Sequence, residues 1–259
     1  MTLSGKVALV TGGSRGIGRG IADALADEGA SIVIAARGQE ALDQAVGELE
    51  ERGMRALGLR TDVTDAEQVK ALRRQAIEAF GKVDILVNNA GASYIAPLLM
   101  AKDDRWWEVV EINLKSTYLC TKTFLRDMVR AKSGRVINIS SISGQLGAAF
   151  NSCYAASKAA VDGFTRSAAL EVAKSGVTVN AVCPGYVRTD LAQQTMGARA
   201  KMFGMESADA YLDKLESEVP RQQLATPEEV ASAVAYLASP AAAAITGQTL
   251  NVCGGLALG

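Results

Sequence analysis

The chain has 259 residues, 49% hydrophobic and 21% charged, with a formal net charge of −1. That length allows a sizeable core, and the near-neutral balance, with no basic or acidic block, argues against nucleic acid or a membrane surface as the main partner. There is no histidine, which excludes Ser-His-Asp hydrolysis, His-activated cysteine chemistry and any His-ligated metal site; no metal site is expected.

Residues 6–11 (KVALVT) and 31–36 (SIVIAA) are short, apolar, β-branched runs that predict strands. Between them, IGRGIADALADEGA carries apolar residues at helical spacing and closes on Gly29, which completes a strand–helix–strand unit. The pattern continues with a helix from Gln39 ending near Gly53, a strand over 55–60, a helix over 65–80 and the strand VDILVNN. A long helix over 103–130 precedes the strand RVINIS. A helix beginning at Tyr154, the strand TVNAVC, a helical stretch over 191–220, a helix from Pro227 and a last strand QTLNVC complete the chain. Strands alternating with helices predict an α/β fold: one domain over 1–259, a doubly wound parallel sheet of Rossmann type with helices on both faces and right-handed crossovers. Ligands of such sheets bind at the carboxyl ends of the strands.

Cys120, Cys153, Cys183 and Cys253 are far apart and form no CxxC, so buried, reduced thiols are expected; Cys153, beside Tyr154, is a candidate to line a pocket. The N-terminus enters the first strand almost at once, without a charged-then-apolar leader. No apolar run reaches the ~20 residues that span a bilayer. A cytoplasmic protein is expected.

Two stretches carry chemistry. TGGSRGIG follows the first strand and opens the first helix. Its small residues let the backbone approach a phosphate, and a helix N-terminus offers free N–H groups and partial positive charge. Its first glycine interval is wider than in GxGxxG, but the physics is the same. In the helix YAASKAAVDGFTRSAALEVA, Tyr154 and Lys158 are four residues apart and share a face. A fixed ammonium beside a phenol favours the phenolate, so Lys158 is expected to lower the Tyr154 pKa and suit it to proton transfer. Ser141 lies where the apolar run VINIS opens onto a loop, another strand end.

TGGSRGIG, NNAG after the fourth strand, Asn113, Ser141, the YxxxK pair and PGYVRT after the sixth strand stand in the order and at the intervals of the short-chain dehydrogenases/reductases, a family this chain resembles from about Lys6 to Gly255. The resemblance implies a catalytic tetrad of Asn113, Ser141, Tyr154 and Lys158. Ser141 would hold the substrate oxygen, and Tyr154 would serve as general acid or, in reverse, as base. Lys158 would tune Tyr154 and hold the nicotinamide ribose, while Asn113 would interrupt its helix to position a water. It also implies a dinucleotide held by Gly12, Ser14, Arg15, Gly16, Ile17 and Gly18, by Asp62 and Val63 at the adenine, by Asn89, Ala90 and Gly91, and by Pro184, Gly185, Val187 and Thr189 on the nicotinamide side.

Where NAD-preferring folds place an acid at the end of the second strand, this chain has Ala36 followed by Arg37. A guanidinium pairs with a 2′-phosphate that a carboxylate would repel. With Arg15 as a second basic group, NADP(H) is expected over NAD(H).

The substrate is less defined. Residues 191–220 are expected to form a lid, rich in Met196, Met202, Phe203, Met205, Tyr211 and Leu215, whose basic groups are Arg199, Lys201 and Lys214, with Arg188 just before. The tail TLNVCGGL looks similar to polyketide ketoreductases, and the rest to 3-oxoacyl-carrier-protein reductases. Both point to a 3-oxoacyl thioester, carried on acyl carrier protein or CoA and reduced with NADPH; Arg126 and Arg130 are candidates to meet an acidic carrier, with a solvated helix face as the leading reading of those two residues. The alternatives are a catabolic alcohol, sugar or hydroxyacyl-CoA dehydrogenase, and a non-catalytic dinucleotide-binding sensor. The resemblance further implies a homotetramer paired through the Tyr154 helix and the mid-chain helix.

Overall fold

The computed structural model describes residues 2–258. Seven strands are described: β1 (Val7–Thr11), β2 (Ser31–Ala36), β3 (Ala56–Arg60), β4 (Ile85–Asn88), β5 (Gly134–Ile139), β6 (Val177–Pro184) and β7 (Thr249–Val252). All pair in parallel, in the order β3-β2-β1-β4-β5-β6-β7. The order reverses between β1 and β4, so the chain leaves the sheet in opposite directions there and opens a crevice above their carboxyl ends.

Helices α1 (Gly16–Asp27) and α2 (Gln39–Glu51) join the first three strands, and α3 (Ala66–Phe80) leads to β4. Next come α4 (Asp103–Val110), α5 (Ser116–Ala131), a short α6 (Ser143–Leu146) and α7 (Ser152–Val172). After β6 follow α8 (Asp190–Met202), α9 (Ala208–Glu218) and α10 (Pro227–Ala238). The strand pleat divides the core in two. Ala8, Val10, Ile32 and Ile34 face Ile21 and Leu25 of α1 and Val230 and Val234 of α10. Leu9, Val33, Leu86 and Val136 face Val69 and Leu72 of α3, Phe124 and Met128 of α5, and Val172 of α7.

Local chemistry sets the helix ends. Asp65 accepts the N–H groups of Glu67 and Gln68 to start α3, and Gly81, at φ +78°, ends it. Thr226 and Glu229 close a reciprocal capping box at α10, with Pro227 in its first turn.

Two predicted elements are resolved further. Periodicity predicts one helix over 103–130, and a π-helical segment, Glu111–Lys115, separates α4 from α5 around Asn113, where the resemblance implies an interruption. The stretch over 191–220 is a helical pair with a small core of its own, in which Met196, Tyr211, Leu212 and Leu215 are buried. Its methionine-rich composition therefore serves packing as well as lining a pocket.

A polar chain runs through the sheet beneath the crevice. Asn88 Nδ2 donates to Thr121 Oγ1 of α5 (2.9 Å) and to Asn138 Oδ1 (2.8 Å), and Asn138 Nδ2 donates to Thr165 Oγ1 of α7 (2.8 Å). Asn138 is fully buried, so its bonds are the compensation for its desolvation. Replacing Asn138 by Ala strands two of these buried partners and is expected to cost about 1–3 kcal/mol in urea unfolding.

Candidate active site

The glycine turn is built from two directions. Thr11 Oγ1 accepts the backbone N–H groups of Asn89 and Ala90, both at 3.0 Å, and Asn89 Nδ2 donates back to the carbonyls of Thr11 (2.9 Å) and Gly12 (3.2 Å). The NNAG segment thus holds the turn in shape, and Asn89 Nδ2 is engaged in that brace. Gly18 is obligatory here: a Cβ would stand 2.3 Å from both Asn89 Nδ2 and the Gly12 oxygen. Gly12 has φ +65° and Gly16 φ +56°, values that favour glycine. Unlike α3 and α10, α1 has no side-chain cap, so its first-turn N–H groups remain donors for an anion. Thr189 Cβ comes within 3.7 Å of a Cβ built on Gly16, which brings the loop after β6 against the glycine turn.

At the other end of the turn, Ala36 closes β2 and Arg37 follows, exposed, as is Arg15. Neither is in an ion pair with a described residue. Asp62, the nearby acid at the end of β3, is turned inward: its Oδ1 accepts from Thr64 N (2.9 Å) and Thr64 Oγ1 (2.7 Å).

The Tyr154–Lys158 pair sits above β5. Lys158 is only 4% exposed; its Nζ donates to the Ile139 carbonyl at 2.7 Å and lies 5.6 Å from the Tyr154 ring centroid. Burial pushes its pKa down to about 8. The lowering expected from Lys158 is not what prevails: desolvation around the half-buried Tyr154 pushes the phenol up, with the Ser141 hydroxyl opposing it and Cys183 adding to it. Tyr154 is therefore a protonated phenol at neutral pH, a proton donor before it is an acceptor.

Close packing sets the register of Ser141 on this pair. A Cβ on Gly144 would stand 2.6 Å from Ala159 N, so α6 lies directly on α7, and Ser140 Oγ donates to the Lys158 carbonyl (3.1 Å). Asn113, in the π segment, accepts from Ala92 N (2.8 Å) and donates to Ala92 O (3.0 Å) and Ser157 Oγ (2.8 Å). A Cβ on Gly91 would lie 3.3 Å from Asn113 Oδ1 and 3.8 Å from Lys158 Nζ, which puts all three side by side.

All the predicted site residues except Asn113 line one cavity of about 480 Å³ running from Arg37 to α8. Asn113 stands behind it. Cys153 does not line it; its Sγ donates to the Tyr94 carbonyl (3.5 Å). Burial pushes the Cys183 and Cys120 thiols up to about 12, consistent with unreactive thiols. Arg188 is bound by Asp213 (2.6 Å) and Glu216 (3.2 Å) and does not act as a free charge of the lid. Sequence reasoning missed Ser140 and Ser157, whose roles depend on which carbonyls and amides the fold brings to them.

The chain belongs to the short-chain dehydrogenase family, whose sequence model matches residues 6–200. Among its relatives, the 3-oxoacyl-[acyl-carrier-protein] reductase FabG of Vibrio cholerae is 43% identical over 256 residues, with 99% of each chain covered. The crystal structure of a substituted actinorhodin polyketide ketoreductase with NADPH superposes with a TM-score of 0.94 at 41% identity, covering 99% of this chain and 98% of that one. That of an NAD+-bound xylitol dehydrogenase gives 0.94 at 30% identity, covering 98% and 100%.

Lys158 yields a stability test. Its folded pKa of about 8 lies below the ordinary lysine value near 10.4, so between these pH values the unfolded chain binds more protons and stability rises with pH. Below about pH 8 the cost of the buried charge is present in full. Lys158→Met is expected to be at least as stable as the parent in urea at pH 7 and to lack the rise between pH 8 and 10. A variant markedly less stable at pH 7 would contradict this account of the site.

Proposed function

We propose that the protein is an NADPH-dependent ketoreductase, converting a ketone to a secondary alcohol, with a 3-oxoacyl thioester as leading substrate. The observation that carries this reading is the single cavity joining the uncapped glycine turn to Ser141, Tyr154 and Lys158. The turn fits a pyrophosphate because the first-turn N–H groups of α1 carry no side-chain cap and open on this cavity, and Arg15 and Arg37 suit a 2′-phosphate because they line the same cavity and have no carboxylate partner among the described residues. Gly12, Ser14, Gly16, Ile17, Asp62, Val63, Asn89, Ala90, Gly91, Pro184, Gly185, Val187 and Thr189 would hold the rest of the dinucleotide. Bound there, NADPH supplies the hydride.

The chain's own groups do the remainder. Ser141 holds the substrate carbonyl oxygen as negative charge builds on it, and Tyr154, protonated at neutral pH, gives that oxygen its proton. Lys158 keeps a positive charge below the phenol and offsets the charge that Tyr154 takes on. Asn113 positions this group from behind through Ser157, and the π segment opens its helix to a water. The helices α8 and α9 form the lid over the substrate. On the outer face of α5 and α7, Tyr118 and Phe164 stack edge to face around a hollow lined also by Leu125, a surface that suits pairing with a second copy toward a homotetramer. No helix among the described residues is long and apolar enough to cross a membrane, in keeping with the proposed cytoplasmic site of action.

The likeness to an NAD+-bound xylitol dehydrogenase favours one second reading, alcohol oxidation with NAD+. Initial rates decide between them. With an acetoacetyl thioester, kcat/KM for NADPH is expected to exceed that for NADH by about tenfold or more. Turnover confined to alcohols with NAD+ would overturn the proposal.

A further inference from the structure

Arg199 lies in the last turn of α8 and is 5% exposed. Its Nη2 donates to the Ala149 carbonyl (2.9 Å), on the segment that leads into α7, while its Nε is buried without a hydrogen-bond partner. Among the described residues no carboxylate pairs with it, whereas Arg188 at the start of the same lid has two acidic partners closer than 3.5 Å. Arg199 also lines the cavity that holds Ser141, Tyr154 and Lys158. A guanidinium stays charged at every accessible pH, and a buried one without a counter-charge is costly unless an anion arrives to meet it. The planar fork matches a carboxylate, which would supply both the missing charge and an acceptor for Nε.

We infer that Arg199 is an anion receptor inside the substrate pocket, selecting ketone substrates that carry a carboxylate away from the reacting carbonyl. This deepens the proposed function and, as a statement about substrates, rests on it. An oxoacyl chain whose far end is a carboxylate meets both demands: the ketone at Ser141 and Tyr154, the carboxylate at Arg199.

A matched pair of thioesters tests it, 3-oxohexanoyl and 3-oxoadipyl, which have the same chain length and differ in a terminal carboxylate. The parent protein with NADPH is expected to favour the carboxylate member by about tenfold or more in kcat/KM, and Arg199→Met to erase that ratio while Arg199→Lys keeps part of it. Equal kcat/KM for the two in the parent protein overturns the inference, whether or not Arg199→Met folds. Adipate, which has no ketone, gives a readout apart from turnover: calorimetry is expected to show binding to the parent and a loss of at least about tenfold in Arg199→Met. Adipate binding that depends on Arg199, with neither thioester reduced, would sustain the receptor and reject the ketoreductase reading. Adipate binding unchanged by Arg199→Met would reject the receptor.

Discussion

The bond from Lys158 Nζ to the Ile139 carbonyl fixes the long helix α7 against the carboxyl end of β5, and the rest of the site is built on that contact. It places an ammonium, nearly closed off from water, at the one strand end where Ser141 also emerges. Gly144 and Ser140 hold the same helix from the neighbouring loop, so Ser141 and Tyr154 keep their register through backbone packing rather than through their own side chains. The two side chains proposed to act on one carbonyl group are thereby carried on rigid elements. Desolvation keeps the Tyr154 phenol protonated at neutral pH and pulls Lys158 down.

A second brace governs the opposite end of the cavity. Asn89 and Thr11 bind the turn after β1 to the segment after β4, across the place where the strand order reverses. The glycines are needed because this brace occupies the space their side chains would take. With Thr189 pressed over Gly16, three strand ends converge on one turn, and the helix α1 is left uncapped toward the same crevice. The fold gives up a stabilising cap at α1 that it supplies at α3 and α10, and the donors freed face the cavity.

Much of this was legible in the residues. SIVIAA is β2 to the residue, because a buried parallel strand is a continuous β-branched run. The glycine turn and the Tyr154–Lys158 spacing announced themselves through local rules. What was not legible depends on tertiary contact. The π segment at Asn113 is associated with bonds to Ala92 and Ser157, far away in sequence, so helical periodicity reads straight through it and only the family resemblance pointed to an interruption there. The direction of the Tyr154 shift turns on how deeply the phenol is buried, which spacing cannot tell. The same holds for Arg199, one more lysine-or-arginine in a helical stretch until burial removes its water.

In the proposed function Tyr154 is the proton donor, and the dinucleotide binds without help from its hydroxyl. Tyr154→Phe keeps the ring and its packing and removes only the hydroxyl. Turnover of an acetoacetyl thioester is expected to fall by about 10²–10⁴-fold while NADPH binding, followed by fluorescence titration, stays within about twofold of the parent. A variant that still turns over at the parental rate would contradict the assignment.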